Sequence, residues 1–166
     1  MRNSRLLFVL NDAPFFVSHR LPLAVAAVRA GYDVHLAAPT DSSTEQLLAA
    51  AGISTHAIEL DRSGSGLRRE WRTFRSIAKT IRRLQPDIVH NVTIKPVLYA
   101  SIARRLAGGG PTVNAVPGLG YVFLASGVRA YVRRTVVERL YRLALRGTRA
   151  VAVFQNPDDE IGRAHV

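Results

Sequence analysis

Short apolar runs alternate along the chain with longer segments whose apolar residues recur at helical spacing. The apolar runs predict buried strands at residues 5–10, 32–38, 53–60, 87–91, 112–116 and 149–154. The segments between them predict helices at residues 21–30, 43–51, 67–84, 96–106 and 128–146. Strands that alternate with helices of this length require right-handed crossovers. We therefore expect a Rossmann-like three-layer α/β/α domain with a mostly parallel sheet.

Polar residues and glycines follow the predicted strands, and in an open sheet of this kind ligands bind beyond the carboxyl ends of the strands. The candidate binding residues at that edge are Asn11, Ser18, His19, Arg20, His90, Thr93, Lys95, Gly118, Gly120, Tyr121 and Asn156. No catalytic residue can be assigned among them from the sequence.

Several candidates have two possible interpretations. His19 and Arg20 come just before a predicted helix and could meet an anionic group with help from the helix N-terminus, or they could be solvated loop residues. His90 ends a strand and could orient a sugar hydroxyl or accept a proton, or it could be a structural histidine. Lys95 could reach a phosphate or lie on the surface. Gly118 and Gly120 favour close approach of the backbone to a ligand, since a plain turn seldom needs two glycines around a leucine.

Other site chemistries are disfavoured by the residues present. The first predicted strand is not followed by G-x-G-x-x-G, which argues against a dinucleotide-binding domain of the usual kind. The chain has no cysteine, and no histidine or carboxylate pair has metal-ligand spacing, so we expect no metal site. His35 is expected to be structural, and the sequence gives His56 no role.

The chain of 166 residues has the length of one domain, and its formal net charge is +11. Arginines supply nearly all of this charge, which a GC-rich genome or attraction to an anionic partner could explain. In the helix at residues 67–84, Trp71, Phe74, Ile77 and Ile81 form an apolar stripe that is expected to pack on the sheet. The basic helices suit a protein that lies on anionic lipid. No nucleic-acid-binding module or aromatic stacking platform is recognisable.

Four segments carry a resemblance to a known family. They read FFVSHRLPLAVAAVRAGYDVHLAAP, PDIVHNVTIKPVLYASIARRLAG, VNAVPGLGYVF and VAVFQNPDD. Together they resemble the N-terminal half of family 4 glycosyltransferases, which are retaining enzymes of GT-B architecture. That resemblance implies two Rossmann-like domains facing each other across a cleft. The N-terminal domain mainly receives the acceptor, and the C-terminal domain holds most of the nucleotide-sugar donor.

The resemblance also implies roles for particular positions. His19 would face the acceptor side of the cleft, and residues 90–95 would line it. Gly118, Gly120 and Tyr121 would form the loop beneath donor sugar and acceptor, and Asn156 would lie near the crossover to the second domain. Many relatives carry threonine or histidine where this chain has Pro117, which puts a catalytic or orienting role there in doubt.

The implied activity is transfer of a sugar from a nucleotide-sugar to a carbohydrate or a polyprenyl-diphosphate-linked glycan, in cell-surface polysaccharide synthesis. No cofactor is implied beyond that donor substrate. We expect a cytoplasmic protein that is peripheral on the inner face of the membrane. A GT-B-like sugar-nucleotide epimerase and a non-catalytic basic module that binds acidic membrane are the alternatives.

The division of the chain into residues 1–160 and 161–166 leads to two further expectations. Residues 1–160 correspond to the acceptor-side domain without the donor domain, so the chain alone is expected to be inactive. Residues 161–166 can be encoded by a common sequencing-library adapter and are expected not to be native.

Overall fold

The computed structural model of the protein describes residues 3–60, 66–115, 139, 142 and 149–153. The predicted helix at residues 128–146 lies outside the described residues apart from Arg139 and Arg142. The described part forms one parallel sheet with helices on its faces. The predicted fold class, a Rossmann-like α/β domain, is therefore confirmed.

The described residues form a sheet of six strands in the order β3-β2-β1-β4-β5-β6, and each pair of neighbouring strands is parallel. Their bounds are β1 (Arg5–Val9), β2 (Asp33–Ala38), β3 (Ile53–Ala57), β4 (Ile88–Val92), β5 (Thr112–Ala115) and β6 (Ala150–Val153). The strand order reverses direction beside β1, whose residue Leu6 lies opposite Val34 of β2 and Ile88 of β4. The crevice beyond the carboxyl ends of β1 and β4 is thus the switch point where such sheets bind ligands.

Five helices are described, and one of them was not predicted. Their bounds are α1 (Ala13–His19), α2 (Leu21–Arg29), α3 (Ser42–Ala50), α4 (Leu67–Leu84) and α5 (Ile94–Leu106). The new helix, α1, occupies the segment that the sequence analysis treated as a loop. It forms because Phe16 is fully buried against Phe8 of β1, with ring centroids 5.4 Å apart. Burial of an aromatic ring thus stabilises a seven-residue helix too short to have its own periodic signal.

Two apolar clusters sandwich the sheet, because successive side chains of a strand point to opposite faces. Phe8 of β1 and Leu36 of β2 belong to the cluster beneath α1, α2 and α3. Leu7 and Val9 of β1 belong to the opposite cluster, which α4 and α5 cover with residues such as Ile77. Alternate residues of a strand therefore pack into opposite clusters, one on each face of the sheet.

The apolar stripe of α4 packs on the sheet only in part as predicted. Ile77 and Ile81 are fully buried, but Trp71 is 58% exposed. Trp71 lies six residues before Ile77, about 120° around the helix, so it reaches only the edge of the contact. There its ring stacks on Phe74, with centroids 5.6 Å apart. Neither α4 nor any other described helix is both long and apolar enough to cross a membrane.

Candidate functional site

An open groove of about 570 Å³ lies at the carboxyl edge of the sheet. Because α4 follows β3, it begins at this edge and forms the second wall of the groove. The loops after β1, β2 and β3 and the first half of α4 contribute Asn11, Asp12, Pro39, Glu59, Leu60, Arg69, Arg72 and Thr73. We call this cavity the carboxyl-edge groove.

The carboxyl-edge groove combines hydrogen-bond donors with acceptors. Asp12 and Glu59 bring carboxylates, Arg69 and Arg72 bring guanidinium groups, and Asn11 brings an amide. Such a set can satisfy ligand hydroxyls, which both donate and accept. Of these residues the sequence analysis named only Asn11 as a candidate. Arg69 and Arg72 lie on an amphipathic helix, where the sequence pattern of a groove-lining arginine is the same as that of a solvated one.

His90 lies on the other face of the sheet from α4. Its ring packs 5.0 Å from that of Phe8, beneath the corner between α1 and α2. Burial, with a smaller contribution from the nearby charge of Arg20, lowers the pKa of His90 to about 4. The imidazole is therefore neutral at pH 7. The Arg20 N–H donates to the carbonyl oxygen of Phe16, whose ring packs on Phe8, so the structure places His90 and Arg20 on the same face of the sheet.

Ser18 and His19 end α1 with exposed side chains. The Ser18 hydroxyl lies 2.6 Å from Nδ1 of His19 and 3.1 Å from the carbonyl oxygen of Pro14. The His19 ring stacks on Phe15, with centroids 4.3 Å apart. These contacts hold the imidazole in one orientation while leaving it accessible to solvent.

Thr93 joins β4 to α5 with a strained backbone. Its φ of 76° and ψ of 163° fall in a region that side-chain-bearing residues rarely adopt. Such a conformation costs about 1–3 kcal/mol. The Thr93 N–H donates to the carbonyl of Ala115 at the end of β5 (3.1 Å), which holds the turn beside the switch point. Its buried Oγ1 has no hydrogen-bond partner in the described segments.

Lys95 lies between α4 and α5. Its Nζ donates to Glu70 (2.8 Å), and the hydroxyl of Tyr99 donates to the other carboxylate oxygen (2.5 Å). Burial and, secondarily, this hydrogen bond raise the pKa of Tyr99. The Lys95 ammonium thus forms part of the junction between the two helices.

The remaining candidates, Gly118, Gly120, Tyr121 and Asn156, lie outside the described residues, as does Pro117.

Two histidines that the sequence analysis left without a site join in a hydrogen-bonded chain. Arg83 donates to Nδ1 of His56 (2.9 Å), and Nε2 of His56 lies 3.1 Å from Nδ1 of His35. Nε2 of His35 lies 3.2 Å from Asp33, at ion-pair distance but without hydrogen-bond alignment. Burial, then the charges of His35 and Arg83, lower the pKa of His56 to about 4. These hydrogen bonds therefore give His56 a structural role, because they link β2, β3 and α4.

The sequence profile of the family described as Glycosyl transferase 4-like matches residues 5–156. No curated protein sequence matches the chain. Because the profile covers most of the 166 residues, the match extends over both the carboxyl-edge groove and the corner at Arg20.

Three solved structures share the fold, and two of them are glycosyltransferases. The glycosyltransferase VinC, in complex with dTDP, superposes with a TM-score of 0.56 at 14% identity over 90% of this chain and 49% of its own. SsfS6 from Streptomyces sp. SF2575 gives 0.55 at 17% identity, over 94% of this chain and 51% of its own. MurG from Acinetobacter baumannii superposes with a TM-score of 0.53 at 14% identity, over 93% of this chain and 42% of its own. The chain thus spans about half the length of these structures.

Proposed function

Because the chain belongs to the glycosyl transferase 4-like family, we propose that it is the acceptor-side half of a retaining glycosyltransferase. In this proposal, the parent enzyme transfers a sugar from a nucleotide-sugar donor to a carbohydrate or lipid-linked glycan, such as one carried on polyprenyl diphosphate. The product serves cell-surface polysaccharide synthesis.

The carboxyl-edge groove is the observation that carries this proposal. It lies near the end of β1, where the strand order reverses, and its volume of about 570 Å³ is in the range of small-molecule sites. Carboxylates of Asp12 and Glu59 accept hydrogen bonds from acceptor hydroxyls, while Arg72 donates to hydroxyl or phosphate oxygens. The groove thereby binds and orients a polar acceptor.

The chemistry is divided between two domains in this proposal. Charge develops on the departing diphosphate, so donors that stabilise it supply much of the rate. The family resemblance assigns those groups to the donor domain. This chain contributes acceptor binding and orientation, and we propose that the 166-residue chain alone does not catalyse transfer.

The test measures binding of a panel of free and lipid-linked oligosaccharides to the purified chain. Arg72→Ala removes a guanidinium from the groove, and we expect affinity to fall about tenfold or more, as for a lost charged hydrogen bond. Lys79→Ala is the matched control, because Lys79 is exposed on the same helix but does not line the groove. Equal effects of the two substitutions, or no binding by any panel member, contradict the acceptor role. Turnover by the purified chain contradicts the proposed inactivity.

We also propose that the protein lies peripherally on an anionic membrane surface, and the solvent face of α4 supports this. Its exposed basic residues are Arg68, Arg69, Arg72, Arg75, Lys79, Arg82 and Arg83. The single acidic residue of α4, Glu70, is paired with Lys95. Beside the basic residues, Leu67 is 91% and Trp71 58% exposed. Cationic and interfacial aromatic side chains together are typical of helices that contact anionic lipid.

The only tryptophan of the sequence, Trp71, reports directly on this contact. We expect its emission to shift to the blue with vesicles containing phosphatidylglycerol, and the shift to be reversed by salt. Pure phosphatidylcholine vesicles should have no effect. The double variant Arg68→Gln/Arg75→Gln should weaken binding about 30-fold, at about 1 kcal/mol for each charge, whereas Arg29→Gln on α2 should not. Equal response to neutral and anionic vesicles would contradict the membrane contact.

A further inference from the structure

The corner between α1 and α2 carries an arginine whose charge has no carboxylate partner within the described segments. The Nε of Arg20 is buried and has no hydrogen-bond partner there. Among the described residues, the guanidinium makes one long contact of 3.5 Å, from Nη1 to the carbonyl oxygen of His19. Buried polar groups in folded proteins are almost always paired, and a charged donor without an acceptor is costly. Arg20 is therefore placed to receive an acceptor from outside the described residues.

A second buried polar atom without a partner in the described segments belongs to His90, on the same face of the sheet. Nε2 of His90 is also buried without a hydrogen-bond partner in the described part of the chain. The contacts of its neighbour Phe8 with His90 and with Phe16 of α1 place the imidazole on the α1–α2 face. The Arg20 N–H donates to the carbonyl oxygen of Phe16 (2.8 Å), and the Phe16 ring packs on Phe8, so Arg20 lies on the same face of the sheet as the imidazole. The charge of Arg20 also contributes to the lowered pKa of His90. A neutral ring with its proton on Nε2 presents a donor beside the guanidinium.

We propose that Arg20 and His90 together bind an anionic oxygen group of a ligand, either a carboxylate or a phosphate. The guanidinium supplies the charge and a planar fork of donors that matches both groups. The imidazole supplies a further donor. A neutral hydroxyl would leave the arginine charge uncompensated, and a metal ion would be repelled by it.

This anion site is separate from the carboxyl-edge groove. The groove is bounded by α4, whereas His90 and Arg20 lie beneath and at the corner of α1 and α2, on the opposite face of the sheet. The site does not require the transfer reaction, so its test can be made on the chain alone.

The test follows the Arg20 Nε–H and His90 ring signals of the full 166-residue chain by NMR at constant ionic strength. The probes are inorganic phosphate, glucuronate as a sugar carboxylate, and glucose as a neutral sugar. We expect saturable shifts of both signals with phosphate, glucuronate or both, and none with glucose. The bound anion should also raise the pKa of His90, because a neighbouring negative charge favours the protonated ring.

Substitutions then separate this site from general attraction to a basic protein. Arg20→Gln should weaken binding about tenfold or more, whereas Arg29→Gln, which removes an exposed charge at the far end of α2, should not. Arg20→Lys keeps the charge without the planar fork, and we expect an intermediate affinity. If Arg20→Gln fails to fold, as judged by circular dichroism, the anion affinities of Arg20→Lys and Arg29→Gln are compared instead, and a weaker affinity of Arg20→Lys supports the site.

The outcomes identify the ligand group or overturn the site. Saturation by phosphate alone assigns a phosphate group, and saturation by glucuronate alone assigns a carboxylate. No shift of the two signals with either anion overturns the proposal, as does the same affinity in the Arg20 and Arg29 variants. A chain that binds anions here but no oligosaccharide in the groove would keep this site and lose the proposed acceptor role.

Discussion

The lowered pKa of His90 predicts that protonation of this side chain destabilises the folded chain in acid. In the folded state, burial lowers the pKa of His90 to about 4 from the model-compound value of 6.5. Between these two pH values, the unfolded chain holds a proton on His90 that the folded chain does not. The free energy of unfolding therefore falls as the pH drops from 6.5 towards 4.

The size of the effect follows from the linkage between protonation and folding. Each unit of pKa difference corresponds to about 1.4 kcal/mol. Between pH 7 and pH 5, a shift of this size makes His90 responsible for a loss of about 2 kcal/mol in the free energy of unfolding. That is a large part of the total stability of a small domain.

The assay is urea unfolding at pH 7 and pH 5, followed by circular dichroism. His90→Phe keeps an aromatic ring against Phe8 but cannot titrate. Between pH 7 and pH 5, the free energy of unfolding of this variant should therefore fall by about 2 kcal/mol less than that of the parent. His56→Gln serves as the comparison. The pKa of His56 is also lowered to about 4, but its ring is only about half buried, so solvent screening should make its share smaller. If the parent and His90→Phe lose equal stability between the two pH values, the reasoning about His90 is wrong.

Two further substitutions test backbone geometry by thermal unfolding. Gly110→Ala should destabilise the chain by about 2 kcal/mol, because φ is 126° and the new Cβ would collide with the guanidinium of Arg104, a side chain confined by burial. Gly108→Ala, at a φ of 104° with open space around the new Cβ, should cost only about 1 kcal/mol; equal losses would refute the collision. Thr93→Gly should raise the free energy of unfolding by about 1 kcal/mol by relieving its positive φ, and a loss of stability would show that the turn is not strained.

The sheet was predictable because each strand is a short apolar run set off by turn residues. The bounds of α4 also follow from sequence signals, since Gly66 precedes it and Pro86 bars its continuation. The end of β3, in contrast, does not follow from the sequence pattern. Ile58 and Leu60 continue the apolar pattern and are buried, although β3 ends at Ala57. They pack on the α4 side after the chain has left the sheet, so burial here extends beyond the strand.

The candidate site was predictable only where it depends on strand ends. Asn11 follows β1 and lines the groove, as expected for a residue at the carboxyl end of a parallel strand. Arg69 and Arg72 could not be distinguished from solvated residues, because an exposed arginine on an amphipathic helix has the same pattern in both cases. The pairing of Lys95 with Glu70 joins residues on two helices, and only the packing of α4 against α5 reveals it.

The measurement that tests the central claim most directly is a ¹⁵N-HSQC titration of the chain with the oligosaccharide panel. If the carboxyl edge of the sheet receives the acceptor, the largest shifts should fall on Asn11, Asp12 and Arg72. Gly31 and Gly108, which precede β2 and β5 at the amino edge, should change little. Shifts concentrated at the amino edge, with Asn11 and Arg72 unaffected, would contradict the assignment of this chain as the acceptor-side half of a glycosyltransferase.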